Sequence, residues 1–493
     1  MKKLTILFGL VMALALALPG GAHAATFTVN STTDVSDANP GDGVCDDGAG
    51  NCTLRAAIEE ANALVGADTI TLPAGSYILT GGELLISDDL TISGAGQATT
   101  FVDGGLVARV FRIFGSTVDI SGVTIQNGIV GGLQPGGGIF NAGTMTLTNV
   151  TVSSNSTATD GGGIVSFGTM ELTNVIVTDN TALGSGGGIL NGVGTITLTN
   201  VTVSDNSAIV ANGGGILNGG AMELTDVTVS SNTAAGSSGG GIVNGGTMEL
   251  TNVIVSDNSA NRFGGGIFNF NSTMTLTNVT VSGNSAGADG GGIANGFFGV
   301  RGTMTLSNVT VSDNTALASG GGIVNNRDAV LNNSIIGNNT PDNCVGTRAI
   351  ISGGHNLEDA NSCGFTAPGD LTNTDPLLGP LQDNGGTTET HALLPGSPAI
   401  DAGSGDCPPP TTDQRGVTRP QGADCDIGAY EFEPPVGGLV VDLDGGPLSA
   451  AQPSGGSAGR LAGTIAGIAA FAVMLTGAAW YARRRGEIAP GAK

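Results

Sequence analysis

The 493-residue sequence predicts an all-β chain wound as a right-handed, single-stranded parallel β-helix, with an N-terminal cap and a C-terminal transmembrane helix. Three observations carry that expectation. The string Gly-Gly-Gly-Ile begins at Gly136, Gly161, Gly186, Gly213, Gly239, Gly264, Gly290 and Gly320, at spacings of 25 to 30 residues. In the second half of each copy apolar residues alternate with Thr, Ser or Glu, the period of a strand with one buried face. Aligned copies also give columns of one residue type. Leu147, Leu172, Leu198, Leu224 and Leu250 form one, and Val152, Val177, Val203, Val229 and Val255 another. A repeat this short cannot bury its apolar face alone, and stacking on its neighbours does so.

Taken in order, residues 1–24 read as a signal peptide. Lys2 and Lys3 precede an apolar run, and Ala22-His23-Ala24 fits cleavage after Ala24. Residues 25–67 form an N-terminal module whose segment 54–63 has helical spacing and is expected to cap the first coil. The β-helix then occupies 68–382. Irregular opening coils lie at 70–79, 90–94 and 118–125, regular coils at about 136–330, and closing coils run from 329 to about Leu381.

Within a coil, Met145 and Leu147 point inward, and so do Val150 and Val152, which one unbroken strand cannot arrange. One corner is therefore expected at Thr148-Asn149 and a second at Ser153-Ser154-Asn155, with the glycines turning into a third strand. Asn149, Asn174, Asn200, Asn252, Asn278 and Asn308 should stack as a ladder of amides that bond along the column. Crossovers between parallel strands are right-handed. Roughly a dozen coils at about 4.8 Å each make a rod of about 60 Å.

Residues 383–433 read as a C-terminal module and 434–460, rich in Gly, Pro and Ser, as a flexible stalk. Residues 461–482 carry no charge, and at ~1.5 Å per residue a helix of that length spans a ~30 Å hydrocarbon core. Trp480 and Tyr481 suit an aromatic belt, and Arg483, Arg484 and Arg485 hold the tail 483–493 in the cytoplasm. The body is thus expected on the extracellular face of the envelope. A sorting tail removed by a processing enzyme is the alternative reading of the same segment, since Ser454-Gly-Gly-Ser457 precedes it.

Lys and Arg number 16 against 41 Asp and Glu, a formal net charge of −25, and no lysine lies between Ala25 and Arg460. That balance excludes nucleic acid as a partner. Six cysteines in an exported chain imply three disulfides. Many pairings are open, and the short spacings favour Cys45–Cys52, Cys344–Cys363 and Cys407–Cys425. Asp37, Asp42, Asp46 and Asp47 crowd the loop before Cys52 and are candidate calcium ligands. An acidic turn stapled by a disulfide explains the same residues, and the spacing does not follow the EF-hand pattern.

The run Cys52-Thr-Leu-Arg-Ala-Ala-Ile58, with Asp42-Gly-Val-Cys45 before it and Glu60-Ala-Asn62 after it, resembles the CSLREAI domain, departing at Thr53 and Ala56. Asp383-Asn-Gly-Gly-Thr-Thr-Glu-Thr-His-Ala-Leu393, Gly396-Ser-Pro-Ala-Ile-Asp-Ala-Gly403, Asp413-Gln-Arg-Gly-Val-Thr-Arg-Pro420 and Asp426-Ile-Gly-Ala-Tyr-Glu431 resemble the choice-of-anchor Q domain. The Gly-Gly-Gly-Ile and Val-x-x-Asn elements are more loosely similar to polymorphic outer membrane protein repeats. These resemblances imply a secreted, pectate-lyase-like solenoid attached to the cell envelope, and bring no catalytic residue with them.

Polygalacturonase-like chemistry needs Asn-Thr-Asp, paired aspartates, Gly-His-Gly and Arg-x-Lys on successive coils. Asn373-Thr-Asp375 supplies only the first, after the coils have ended. Arg262, Arg301 and Arg327 lie in loops without a dense Asp cluster, and His355 and His391 fall in no triad or metal-ligand spacing. Asp179, Asp205, Asp257 and Asp313 recur from coil to coil, which suits a surface ladder rather than one unique site. The expected function is a membrane-anchored surface rod that binds a glycan or another surface ligand. It is expected not to be an enzyme and to need no cofactor beyond the candidate calcium. A structural envelope component, and a polysaccharide lyase or hydrolase, are the alternatives.

Overall fold

Each regular coil turns on left-handed backbone at three places. In the coil that begins with Ile164–Ser166, these are Asn174 (φ 56°), Asp179 (φ 56°) and, where the next coil starts, Gly186 (φ 66°). Asn, Asp and Gly tolerate this region at least cost, which is why the corners carry those residue types. Between the corners run Thr169–Thr173 and Ile176–Thr178. Met170, Leu172, Val175 and Val177 are buried inside, while Glu171 points out. Strands of successive coils pair in parallel with the columns in register: Leu147 stands beside Leu172, and Leu172 beside Leu198.

A computed structural model describes residues 24–270, 272–296, 302–405, 407 and 409–434. These form a right-handed parallel β-solenoid of about 11 turns, so the coil architecture and its handedness are as expected. Among the described residues no helix is long and apolar enough to cross a membrane. The expected hydrophobic run of the signal peptide, the stalk and the span at 461–482 lie outside them.

The coil differs from expectation in one respect. After the second corner comes a further rung of two residues, Thr181–Ala182, and its equivalents make a separate eight-stranded parallel sheet. The Thr181 amide donates to the Asn155 carbonyl, so the chain pairs with the preceding coil before it enters the glycine turn. In that turn Gly161 takes φ 69°, and a Cβ on Gly162 would overlap the Gly187 carbonyl oxygen of the next coil. Only glycine permits this approach.

Three columns of polar side chains run along the solenoid. The Asn149 column lies at the first corner, with Asn174 Nδ2 donating to Asn149 Oδ1 at 3.1 Å and Asn200 Nδ2 to Asn174 Oδ1 at 2.8 Å. Two more are buried inside. Asn206 Nδ2 donates to the carbonyls of Val177 and Ser204 and to Asn232 Oδ1, each at 2.9–3.0 Å, and its own Oδ1 accepts from Asn180. Asn191, Asn218 and Asn244 make the other in the same way. These amides satisfy backbone groups that the turns leave without sheet partners, as Asn206 does for the Val177 and Ser204 carbonyls.

At the N-terminal end a single α-helix, α1 (Leu54–Ala63), seats Leu54, Ala57, Ile58 and Ala61 on the first coil. The Thr53 hydroxyl caps it by accepting from the Ala56 amide at 3.0 Å. Arg55 pairs with Asp34 at 2.7 Å in a site that is nearly closed to solvent. All three disulfides expected from spacing form: Cys45–Cys52, Cys344–Cys363 and Cys407–Cys425. They place the folded chain in an exported, oxidising setting.

The other end departs more from the sequence reading. Leu378–Gln382 is not a closing coil; it pairs antiparallel with Thr390–Leu393, so the boundary expected at 382 falls inside a hairpin. The module built on that hairpin lies along the flank of the late coils. Thr280 Oγ1 donates to Gln414 Oε1 at 2.7 Å, the Ala429 amide to Thr310 Oγ1 at 3.1 Å, and Asn278 Nδ2 to the Thr412 carbonyl at 2.9 Å. Thr280, Ser282, Thr310 and Ser312 point away from the core yet are buried beneath it, whereas their counterparts Thr202 and Ser204 stay partly exposed.

Candidate functional site

The strand after each glycine triplet reads Ile-x-Asn, with Ser166 in place of Asn in one copy. Ile and Asn face inward, so x points out, where polar residues belong. It is nevertheless apolar in coil after coil: Val165, Leu190, Leu217, Val243, Phe268, Ala294 and Val324. Val243, Phe268 and Ala294, with Leu217 and Phe263 against them, form a hydrophobic cluster outside the main core. The column makes an apolar stripe along the glycine-rich face that neighbouring side chains largely cover: all but Leu217 are buried.

Beside this stripe the position after Asn is glycine in three successive coils. Gly192, Gly219 and Gly245 lie between Phe167 on one side and Phe270 on the other. A Cβ on Gly192 would overlap the Phe167 ring, and one on Gly245 would meet only the Asn218 carbonyl oxygen, at 3.3 Å. The glycines therefore leave a flat floor next to standing phenyl rings. Phe270 is 46% exposed, and Phe268 at its side only 7%. Their ring centroids lie 5.6 Å apart, and Phe268 is 6.4 Å from Phe263, both pairs tilted.

The opposite rim is made by the turns that precede the glycine triplets, which bring Asn212, Ser237, Ser238 and Arg262 to the edge. Asn212 Oδ1 accepts from the Ser238 amide at 3.2 Å, tying the rim of one coil to the next. The Arg262 guanidinium lies 5.1 Å from the Phe263 ring centroid. Rim, floor and rings enclose a cleft of about 330 Å³. Its polar groups are few and its walls mostly apolar, the usual make-up of a small-ligand or saccharide-sized site. The outward column is legible in the sequence as an apolar residue at a position of the wrong parity. It stands out little there, because each copy contributes a single residue.

The candidate calcium ligands do not converge. Asp42 accepts the Val44 amide, Asp46 the amides of Gly48 and Gly50, and Asp47 those of Ala49 and Asn51. Asp37 holds the amides of Asn39 and Asp46. Each carboxylate is thus spent on turns of its own loop, the acidic-turn reading of that loop. Among the described residues no group of three or more His, Cys, Asp or Glu is placed to hold a metal ion. The hydrogen bonds from Asn51 and neighbouring amides hold the Asp47 carboxyl below its ordinary range.

Of the two histidines among the described residues, His355 Nδ1 contacts the Ala402 carbonyl at 3.0 Å. His391 has Nε2 on Ser282 Oγ at 2.8 Å and Nδ1 on the Gly379 carbonyl at 2.8 Å, with Asp313 3.6 Å from the same Nε2. This brings Ser, His and Asp together without making a triad: the carboxylate is on the wrong nitrogen, and Ser282 and His391 are both buried under the C-terminal module. That module has its own charged interior. Arg419 meets Glu431 at 3.1 Å and Arg415 meets Asp413 at 2.7 Å, all four enclosed. Burial pushes the Asp426 carboxyl up to about 6, although the Phe432 and Asp401 amides pull the other way.

No protein-family model and no curated protein matches this sequence. Among solved structures, the pectate lyase Pel9A is 13% identical over 83% of this chain and 97% of its own, with a TM-score of 0.42. The A-module of the Azotobacter vinelandii mannuronan C-5 epimerase AlgE4 is 18% identical over 70% of this chain and 99% of its own, at 0.36. The alginate lyase AlyGC is 13% identical over 73% of this chain and 57% of its own, at 0.37. The likeness is one of chain trace. It corrects the expectation that the chain is not an enzyme: the solved chains named here are lyases and an epimerase, so a role without catalysis does not follow from the fold.

Proposed function

We propose that the chain is an exported polysaccharide-recognising β-solenoid that holds a sugar chain in the cleft between Phe270, Phe263 and the Asn212 rim. The observation that carries this reading is the pairing of exposed phenyl rings with a glycine floor. Sugar rings present flat C–H faces that pack on aromatic faces, and a floor without side chains lets them approach. The amide and hydroxyl groups on the rim supply hydrogen bonds to ring hydroxyls. Exported disulfide-bonded rods meet such polymers at the cell surface. The resemblances to the CSLREAI and choice-of-anchor Q domains, and the uncharged segment 461–482, support attachment to the envelope, with the solenoid outside.

The full chain purified in detergent and passed over a polysaccharide panel tests this. Wild-type protein should be retained by at least one polymer, and Phe270→Ala, which removes a half-exposed ring, should weaken retention about three- to tenfold. Retention unchanged by Phe270→Ala and Phe263→Ala moves the site elsewhere. The same mixtures, followed for new reducing ends or unsaturated sugars, show whether bound polymer is also cleaved.

A further inference from the structure

We infer that the occupant of the cleft is a neutral glycan lying along the solenoid axis, and not a polyuronate; this rests on the reading of the cleft as a polysaccharide site. The direction follows from the floor. Leu217, Val243 and Phe268 are partners in register on three successive coils, so the apolar track they make runs from coil to coil, over about 10–15 Å. A chain laid across the coils would instead leave the floor for the raised turns of the rim.

The charge preference follows from what surrounds the track. Arg262 is the one ionisable side chain among the described residues that line the cleft, and its guanidinium is turned to the Phe263 ring. The other rim groups are the Asn212 amide and the hydroxyls of Ser237 and Ser238, which suit sugar hydroxyls and neutral acetamido groups. A polyuronate carries a negative charge on every unit. It would approach a chain of formal charge −25 and meet a single cation, so its repulsion from the surface is left largely uncompensated. A neutral polymer carries no such penalty and gains the same stacking.

The test uses the full chain in detergent, neutral hexose and N-acetylhexosamine oligosaccharides, and polygalacturonate and alginate as the charged probes. Affinity for a neutral oligosaccharide should change less than about twofold between low and high salt. It should fall about three- to tenfold in Phe270→Ala. In Gly245→Leu it should be lost, because the new side chain fills open floor at a residue whose backbone accepts it. Circular dichroism of both variants should match wild type. Binding of polygalacturonate or alginate that these variants weaken, with a steep loss at high salt, overturns the inference and leaves the cleft as a polysaccharide site. Binding of any probe that neither variant affects overturns both, as does the failure of every probe to bind a folded chain.

Discussion

Asn206 and Leu224 carry the coil in different ways. Leu224 is fully buried in the column of leucines, and its neighbour Thr225 faces out. Leu224→Ala should therefore cost roughly 2–5 kcal/mol in chemical denaturation, and Thr225→Ala less than about 0.5 kcal/mol. Equal losses would mean that the alternation is misread. Asn206 is a polar core residue with every donor and acceptor engaged across three coils. Asn206→Leu should cost a comparable amount, about 2–4 kcal/mol, because it strands the Asn180 amide and part of the Asn232 side chain. A neutral effect in the same denaturation series would show that the buried ladder is expendable.

Among the elements, the C-terminal module is attached through long-range polar contacts and carries a buried carboxyl, Asp426, whose pKa is raised to about 6. A raised acid takes up a proton on folding. Its contribution is fully present below the ordinary value of 3.8 and is lost as pH rises through about 6. Amide protection in the module, measured against the intrinsic exchange rate at each pH, should thus fall from about pH 4 to pH 7, and Asp426→Asn should flatten that profile relative to wild type. Asp34 works in the opposite sense. Burial alone would raise its pKa, but the Arg55 guanidinium and the Gly81 and Thr80 amides outweigh burial and lower it. The stability it lends the N-terminal cap is present above the ordinary carboxylate range and is lost as pH falls through its lowered value, so acid should loosen α1 before the middle coils. Non-reducing peptide mapping should find three local disulfides, and Cys45–Cys52, closing a short loop, should add about 2–3 kcal/mol at most.

For the molecule as a whole, stacking sets both its extent and its order of failure. About 11 turns bury one continuous core, and no coil has a core of its own. Proposed attachment through 461–482 makes one further prediction: protein recovered from envelope fractions should have the intact mass through the C-terminal tail. A mass ending near Gly455 would instead identify the segment as a removed sorting tail.

Much of this architecture was legible in the residues alone. The period, the in-and-out parity, the corners at Asn149 and Ser154, the helix at 54–63 and the local disulfide pairs are all local properties. Each is set by backbone preference or by spacing within one coil, and repetition writes it many times. The cleft and the seat of the C-terminal module are of another kind. Leu217, Val243 and Phe268 contribute one side chain per coil and become a surface only once the coils are in register. Gln414 finds Thr280 across 134 residues of chain, through a match of shape and hydrogen bonds that no local pattern encodes. The sequence determined how one coil closes on the next. Only tertiary packing decided what the finished stack presents to solvent and which of its faces the chain's own end covers, because those depend on residues far apart in sequence that meet only after the coils have stacked.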